Sequence, residues 1–99
     1  MIKHIKEEEF ESVISSDRVL VDFYATWCGP CKMLGLVLEK FDKRNIIPII
    51  KVDVDQARNV ANEYKILSVP TLIIFENKKE IKRTSGFMSE DELVRWVSE

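Results

Sequence analysis

In VLVDFYATWCGPCK, residues 19–32, an apolar run leads into a pair of cysteines. Residues 19–25 are apolar except for Asp22, and such a run, with several β-branched and aromatic side chains, predicts a strand covered on both faces. Pro30 comes where a helix would begin, a position that proline tolerates because its missing N–H has no intrahelical partner there. The stretch therefore predicts a buried strand followed by a helix, with Cys28 at the helix N-terminus.

The residues after the cysteines predict a βαβ unit. Apolar residues at helical spacing in CKMLGLVLEKFDKR, residues 31–44, predict an amphipathic helix with its apolar side at Met33, Leu34, Val37, Leu38 and Phe41. The next strand, within residues 47–55, alternates between an apolar face at Ile50, Val52 and Val54 and a second face at Ile49, Lys51 and Asp53. Because a helix separates them, the two strands are predicted to be parallel.

The rest of the chain adds strands and helices to this unit. A brief strand is predicted at 2–5, a helix in 4–16 with Phe10, Val13 and Ile14 on one side, and another in 56–66 with Val60, Ala61 and Tyr64 on one side. Residues 71–76 and 80–86 predict a hairpin, and the last helix, in 89–99, opens on a capping box of Ser89 and Glu92. The predicted fold class is α/β, one domain over residues 1–99, with a central mixed sheet of four to five strands flanked on both faces by about four helices.

Composition and charge exclude several classes of protein. With 45% hydrophobic and 32% charged residues, the 99-residue chain fits a soluble globular protein and neither a disordered nor a membrane-embedded one. The net charge of -2 gives no general attraction to nucleic acid. One basic cluster, Lys78, Lys79, Lys82 and Arg83, is interrupted by Glu80 and Ile81 and predicts a solvated hairpin. No targeting or membrane segment is evident, so a monomer in the cytoplasm is expected.

The two cysteines allow three interpretations: a structural disulfide, half of a metal site or a redox dithiol. A zinc site needs about four nitrogen or sulfur ligands, and beyond the cysteines the chain offers only His4 and carboxylates. His4 is therefore predicted to be a surface or edge residue, with no metal bound. A disulfide that closes so short a loop adds little stability through chain entropy. The redox dithiol is the interpretation that remains.

The spacing of the cysteines suits thiol–disulfide exchange. The positive end of a helix dipole and unpaired amides at its N-terminus lower the pKa of Cys28 and favour its thiolate. Cys31 follows one turn later on the same side of the helix, so the two sulfurs can meet. Cys28 could then attack a substrate disulfide, and Cys31 could resolve the mixed disulfide.

VDFYATWCGPCK, residues 21–32, together with SVPTLIIF, residues 68–75, strongly resembles the thioredoxin family. Tryptophan before C-G-P-C-K is far more specific than a bare C-x-x-C, and the order of elements matches over nearly the whole chain. The resemblance implies a thioredoxin fold and a reductase of protein disulfides, with Cys28 as nucleophile and Cys31 as resolving cysteine. No nucleotide-binding glycine motif is present, so the resemblance implies that a separate thioredoxin reductase supplies electrons and that no cofactor beyond the dithiol is needed.

The resemblance also implies a substrate-binding set: Trp27, Gly29, Pro30, Val69, Pro70 and Gly86. Trp27 would shape the substrate surface, and the Gly-Pro pair between the cysteines would tune the redox poise. Pro70 would be a cis-proline facing the sulfurs, with the Val69 backbone pairing with a bound peptide. From the residues alone, Val69 and Pro70 predict only a turn that starts a strand, and Gly86 a turn before the last helix.

Asp22 and Lys51 are the candidate residues outside the motif. A carboxylate inside VLVDFYA must face water or be buried with a raised pKa, which would suit proton transfer. The family places a buried aspartate here, close to the resolving cysteine, so Asp22 is the candidate general base for Cys31. Lys51 matches a family lysine near this aspartate and would modulate it, whereas strand alternation alone puts Lys51 on a polar face with Asp53.

The sequence departs from the family in two places. Gly35 and Leu36 stand where the family commonly has Ala-Pro, whose proline bends the helix, so a bend is not required here. The hairpin ENKKE lacks the usual Asn-Gly, so either Asn77 or Lys78 adopts a left-handed conformation or the loop is longer.

Two other functions remain open at this point. One is a relative that works in the oxidising or isomerising direction, as glutaredoxin-like or disulfide-isomerase-like proteins do; the Gly-Pro pair and the lack of a signal peptide count against it. The other is a non-enzymatic binding subunit that uses the thioredoxin surface as a clamp. Such a module has no need to keep both Cys28 and Cys31.

Overall fold

The computed structural model describes residues 1–15 and 17–99. Its strands are β1 (Ile2–His4), β2 (Val19–Tyr24), β3 (Ile49–Asp53), β4 (Thr71–Glu76) and β5 (Lys79–Ser85). Its helices are α1 (Phe10–Ile14), α2 (Gly29–Asp42), α3 (Arg58–Glu63) and α4 (Glu90–Ser98), and a 3₁₀ turn at Glu7–Glu9 precedes α1. Within the described residues, none of these helices is both long enough and apolar enough to cross a membrane.

β2 lies at the centre of a five-stranded sheet of order β1-β3-β2-β4-β5. β3 is parallel to both β1 and β2, whereas β4 is antiparallel to β2 and to β5. The predicted βαβ unit and the predicted mixed sheet with helices around it are confirmed. The β2–β3 register places Asp22 directly opposite Lys51, and Tyr24 opposite Asp53.

The sheet buries one apolar cluster on each face. On one face, α1 and α3 cover an aromatic group in which Phe10 lies 5.4 to 6.0 Å, between ring centroids, from Phe23, Tyr64 and Phe75. On the other face, α2 and α4 pack Leu34, Leu38, Phe41, Leu93 and Val97 against the sheet. The strands therefore alternate between two cores, as the pattern of β3 predicts.

Three helices differ from their predictions. Met33 is 58% exposed, because it lies about a quarter turn from the stripe of buried residues that runs along α2. The first predicted helix begins as a 3₁₀ turn, in which the Glu9 carboxylate accepts the Lys6 N–H at 2.9 Å, and its predicted end at Ser16 lies outside the described residues. α3 is shorter than predicted, since the chain turns at Lys65, whose φ is 54°.

The hairpin and the last helix agree with the predicted local chemistry. Asn77 and Lys78 both have positive φ, 51° and 71°, so both central residues of the turn adopt the left-handed conformation in the absence of glycine. The N–H of Lys78 donates to the Ile14 carbonyl at 2.8 Å and fixes the turn against the end of α1. Ser89 and Glu92 form the predicted reciprocal capping box at the start of α4.

Candidate active site

Cys28 caps the N-terminus of α2. β2 ends at Tyr24, and the Cys28 N–H donates to the Ala25 carbonyl at 3.3 Å, which turns the chain toward the helix. Cys28 itself is extended, with φ of -96° and ψ of 113°, and Pro30 lies in the first turn of the helix, where no N–H is required. The strand, the turn and the proline together place the cysteine sulfur where helix amides converge.

The two cysteines form a disulfide, with Cα atoms 5.2 Å apart. The Cys31 N–H donates to Cys28 Sγ at 3.1 Å, so an amide already points at the sulfur that would carry negative charge after reduction. Both residues are buried, with exposed fractions of 5% for Cys28 and 3% for Cys31. A hydrogen bond from an amide and the helix dipole both favour a thiolate at Cys28.

The segment before β4 lies against the cysteines. The Val69–Pro70 peptide bond is cis, as the resemblance implies, and the Val69 carbonyl oxygen is 3.7 Å from Cys28 Sγ. Gly86, whose φ is 92°, donates its N–H to the Pro70 carbonyl at 2.9 Å. The Val69 carbonyl therefore lies beside the disulfide, and Gly86 holds the proline that follows Val69.

Trp27 projects from the turn before the cysteines and is 71% exposed. Its indole N–H donates to Asp55 Oδ2 at 2.8 Å, which holds the ring in place. One side of the ring borders a groove of about 200 Å³ that is also lined by Val54, Ile66, Leu67, Ser68 and Val69. Asp55 was not predicted as a site residue, although its position just after β3 was a signal, because parallel strands β2 and β3 end at the same edge of the sheet.

Asp22 is completely buried, and the Lys51 ammonium lies 3.5 Å from its Oδ2. This separation is at the outer limit of a hydrogen bond, and among the described residues neither carboxylate oxygen accepts a well-formed one. Burial raises the pKa of Asp22 from 3.8 to about 6, against the opposing effect of the Lys51 charge. The carboxyl group can therefore take up and release a proton near neutral pH.

A cavity of about 350 Å³ is lined by both Lys51 and the second cysteine. Its walls include Cys31, Lys51, Tyr24, Gly35 and Leu36. The Lys51 ammonium lies 4.7 Å from the centre of the Tyr24 ring, and burial is the main cause that raises the pKa of the Tyr24 hydroxyl. Tyr24 and Gly35 were not predicted as site residues. For Tyr24, the signal was its position two residues after Asp22, on the same face of β2.

Three other residues considered from the sequence are exposed. Gly29 and Pro30 are exposed at the start of α2. His4 is exposed on β1, with its ring edge-on to Tyr24 at 6.2 Å between centroids. In the part of the chain that the structure describes, no three His, Cys, Asp or Glu side chains cluster in a way that could hold a metal ion.

Comparison with known proteins agrees with the fold. A family model described as Thioredoxin matches residues 1–99. The thioredoxin of Chlamydia trachomatis serovar D is 41% identical over 99 residues, which are 99% of this chain and 97% of the relative. A bifunctional thioredoxin reductase/thioredoxin of Mycobacterium leprae is 43% identical over 91% of this chain and 20% of its own length. A solved mutant thioredoxin from Halobacterium salinarum NRC-1 has a TM-score of 0.90 and 34% identity over 98% of this chain and 88% of that one.

The chain belongs to the thioredoxin family. Members of this family are protein-disulfide oxidoreductases, and the disulfide-bonded pair Cys28 and Cys31 fits that chemistry. The protein is accordingly a thiol–disulfide oxidoreductase.

Proposed function

We propose that the protein reduces disulfides of client proteins, with Cys28 as nucleophile and Cys31 as resolving cysteine. The observation that carries this proposal is the position of Cys28 Sγ at the N-terminus of α2, where it accepts the Cys31 N–H at 3.1 Å. An amide aimed at the sulfur stabilises the thiolate, which is the reactive form of cysteine.

The reaction passes two electrons from the dithiol to the client. The Cys28 thiolate attacks one sulfur of a client disulfide, a mixed disulfide forms, and the other client sulfur leaves as a thiolate that takes up a proton. Cys31 then loses its proton and attacks Cys28 Sγ. This second exchange closes the Cys28–Cys31 disulfide and releases the client's remaining sulfur, so the client ends with two thiols.

Asp22 is the proposed acceptor of the Cys31 proton. Its pKa of about 6 lets the carboxyl group act as a base at neutral pH and return the proton without a large barrier. Cys31 and Lys51 line the same cavity, and the Lys51 ammonium contacts the carboxylate. Lys51 would therefore modulate the basicity of Asp22.

The proposed client surface surrounds Cys28. The Val69 carbonyl oxygen lies 3.7 Å from Cys28 Sγ, and the exposed ring of Trp27 lines a groove together with Val69. The hydrogen bond from Gly86 to Pro70 fixes the loop that carries Val69. An extended client peptide could pair with the Val69 backbone while an apolar side chain enters the adjoining groove. Gly29 and Pro30, exposed at the start of α2, are proposed to adjoin the same surface and to tune the redox poise.

The reductant is proposed to be a separate thioredoxin reductase. The name of the Mycobacterium leprae relative joins a thioredoxin reductase and a thioredoxin in one protein, which supports such a pairing. The Cys28–Cys31 pair would itself carry the electrons, with no other cofactor. A dithiol that must be kept reduced suits the cytoplasm, which we propose as its compartment.

A disulfide-reduction assay tests the proposal. The protein should accelerate reduction of a generic protein disulfide by dithiothreitol, and Cys28→Ser should return the rate to that of dithiothreitol alone. Cys31→Ser should accumulate a mixed disulfide with the client, detectable by mass, because nothing resolves it. A redox equilibrium against glutathione would establish whether the protein favours reduction. Activity that survives both substitutions would exclude this mechanism, and client binding that survives while activity is lost would indicate a clamp.

A further inference from the structure

Gly35 lies in the middle of α2, where the backbone gives no reason for a glycine. The helix is continuous from Gly29 to Asp42, and Gly35 has an ordinary helical backbone. Glycine is a poorer helix former than alanine because it loses more conformational freedom. An explanation must therefore come from the space that a side chain would fill.

That space faces the Lys51 ammonium. A Cβ atom added at Gly35 would lie 3.4 Å from Lys51 Nζ, in direct contact with it. On its other sides the ammonium faces the Asp22 carboxylate at 3.5 Å and the Tyr24 ring at 4.7 Å from its centre. The missing side chain of Gly35 thus leaves one side of the ammonium uncovered by carbon.

The uncovered side opens into the cavity of about 350 Å³ that Gly35, Lys51 and Cys31 line together. A water molecule occupies about 30 Å³ in the liquid, so the cavity has room for several. An ammonium group has three N–H donors, and the Lys51 side chain is only 14% exposed. Water in the cavity would supply hydrogen-bond acceptors for this ammonium in addition to the Asp22 carboxylate.

We propose that Gly35 is a positioning residue for the Asp22–Lys51 pair. Because glycine has no side chain, it leaves room for water to reach the Lys51 ammonium. The consequence for catalysis rests on the proposed role of Asp22 as the base for Cys31. The effect on the pair itself does not depend on that role.

The titratable and charged groups around this pair come from several elements. Tyr24 on β2 contacts the ammonium, and His4 on β1 and Asp53 on β3 lie near Tyr24. The groups on α2 that line the cavity are Cys31, Lys32 and Glu39. On its other edge, β2 pairs Asp22 with the apolar Leu72 of β4. A substitution at Gly35 leaves all of these groups in place, so a change in the titration of Asp22 reports on the space at Gly35.

Gly35→Ala is the variant that tests the inference. The methyl group should exclude water from the ammonium, which disfavours the charged pair, so the pKa of Asp22 should rise by roughly 0.5–1 unit. The measurement is an NMR titration of the Asp22 carboxyl carbon in the oxidised protein, where neither cysteine titrates. Gly35→Ser, whose hydroxyl can replace a water as hydrogen-bond partner, should keep the pKa near that of the unchanged protein.

Met33→Ala is the matched control, since Met33 is exposed on α2 and does not line the cavity. Its Asp22 titration should equal that of the unchanged protein. The inference would be overturned if the Asp22 pKa in Gly35→Ala were unchanged or lower. It would also be overturned if Gly35→Ser or Met33→Ala raised the Asp22 pKa by the same amount as Gly35→Ala. The pH profile of the Cys31 step separates the two proposals: if the pKa shifts and this profile does not follow, Gly35 positions the pair but Asp22 is not the base.

Discussion

At the scale of single residues, Asp22 links stability to pH. Its carboxyl group has a pKa of about 6 in the folded protein, where it is buried, and an ordinary pKa of 3.8 in the unfolded chain, so the folded state binds the proton more tightly. Stability from this group is therefore fully present below about pH 4 and is lost as the pH rises through 6. Near neutral pH the protein keeps a carboxylate that weakens its own fold.

Asp22→Asn should stabilise the oxidised protein at pH 8. The amide stays neutral, and one pKa unit corresponds to about 1.4 kcal/mol, so the gain in unfolding free energy should reach about 3 kcal/mol and fade toward pH 4. Urea unfolding of the variant and of the unchanged protein at pH 4, 6 and 8 measures this gain in unfolding free energy. Asp17→Asn, at an exposed position, should show no such dependence. A variant that is less stable than the unchanged protein at pH 8 would contradict the assignment.

At the scale of elements, the β4–β5 turn contains a local conflict between sequence and conformation. Asn77 and Lys78 both adopt positive φ, and a left-handed conformation costs a residue with a side chain about 1–2 kcal/mol. Asparagine tolerates this conformation better than lysine does. The strain in the turn is therefore concentrated at Lys78.

Lys78→Gly should raise the unfolding free energy by about 0.5–1 kcal/mol, because glycine adopts positive φ without penalty although the unfolded chain gains freedom. The hydrogen bond from residue 78 to Ile14 uses the backbone and should persist. Urea unfolding measures the change, with disulfide-reductase activity as a check that the site is intact. Lys79→Gly, in β5, should instead destabilise the fold; equal effects of the two substitutions would show that the turn is not strained.

Local patterns predicted the elements better than their ends. Hydrophobic periodicity and the proline after Cys28 were enough for the βαβ unit, and the parallel register then places Asp22 beside Lys51. The left-handed turn was one of two predicted conformations, and it is the one that the structure shows. A hydrogen bond from Lys78 to Ile14, which is distant in sequence, is present in this turn. Contacts between side chains on different elements, such as Trp27 with Asp55, have no signature in local periodicity. Those contacts needed the folded chain.

At the scale of the whole molecule, Leu67 marks the surface where a client is proposed to bind. It is 94% exposed, yet it lines the apolar groove beside Trp27 and Val69. Because this leucine is almost fully exposed, it contributes little to folding. Its apolar surface is therefore available to a partner.

Leu67→Lys should raise the KM for a protein disulfide several-fold while kcat and the unfolding free energy change little, because an apolar contact made in both ground and transition state is lost. Steady-state kinetics with a protein disulfide and with a small disulfide measure it, and the small disulfide should be unaffected. Ile81→Lys, which is 49% exposed on β5, is the control. An unchanged KM for the protein disulfide would place client binding elsewhere.

β5 is one of the two outer strands of the sheet, opposite β1. Its free edge could template pairing with another chain, but it carries Lys79, Glu80, Lys82 and Arg83, and a register shift opposite Ile74 and Phe75 interrupts its regular pairing. Lys82 also donates to backbone carbonyls at the end of α4, and Arg83 donates to the Tyr64 carbonyl at 2.9 Å, so these charges are held in place on both faces. Charged and irregular edge strands resist fibril growth. We therefore expect that concentrated solutions form no intermolecular β-sheet through β5.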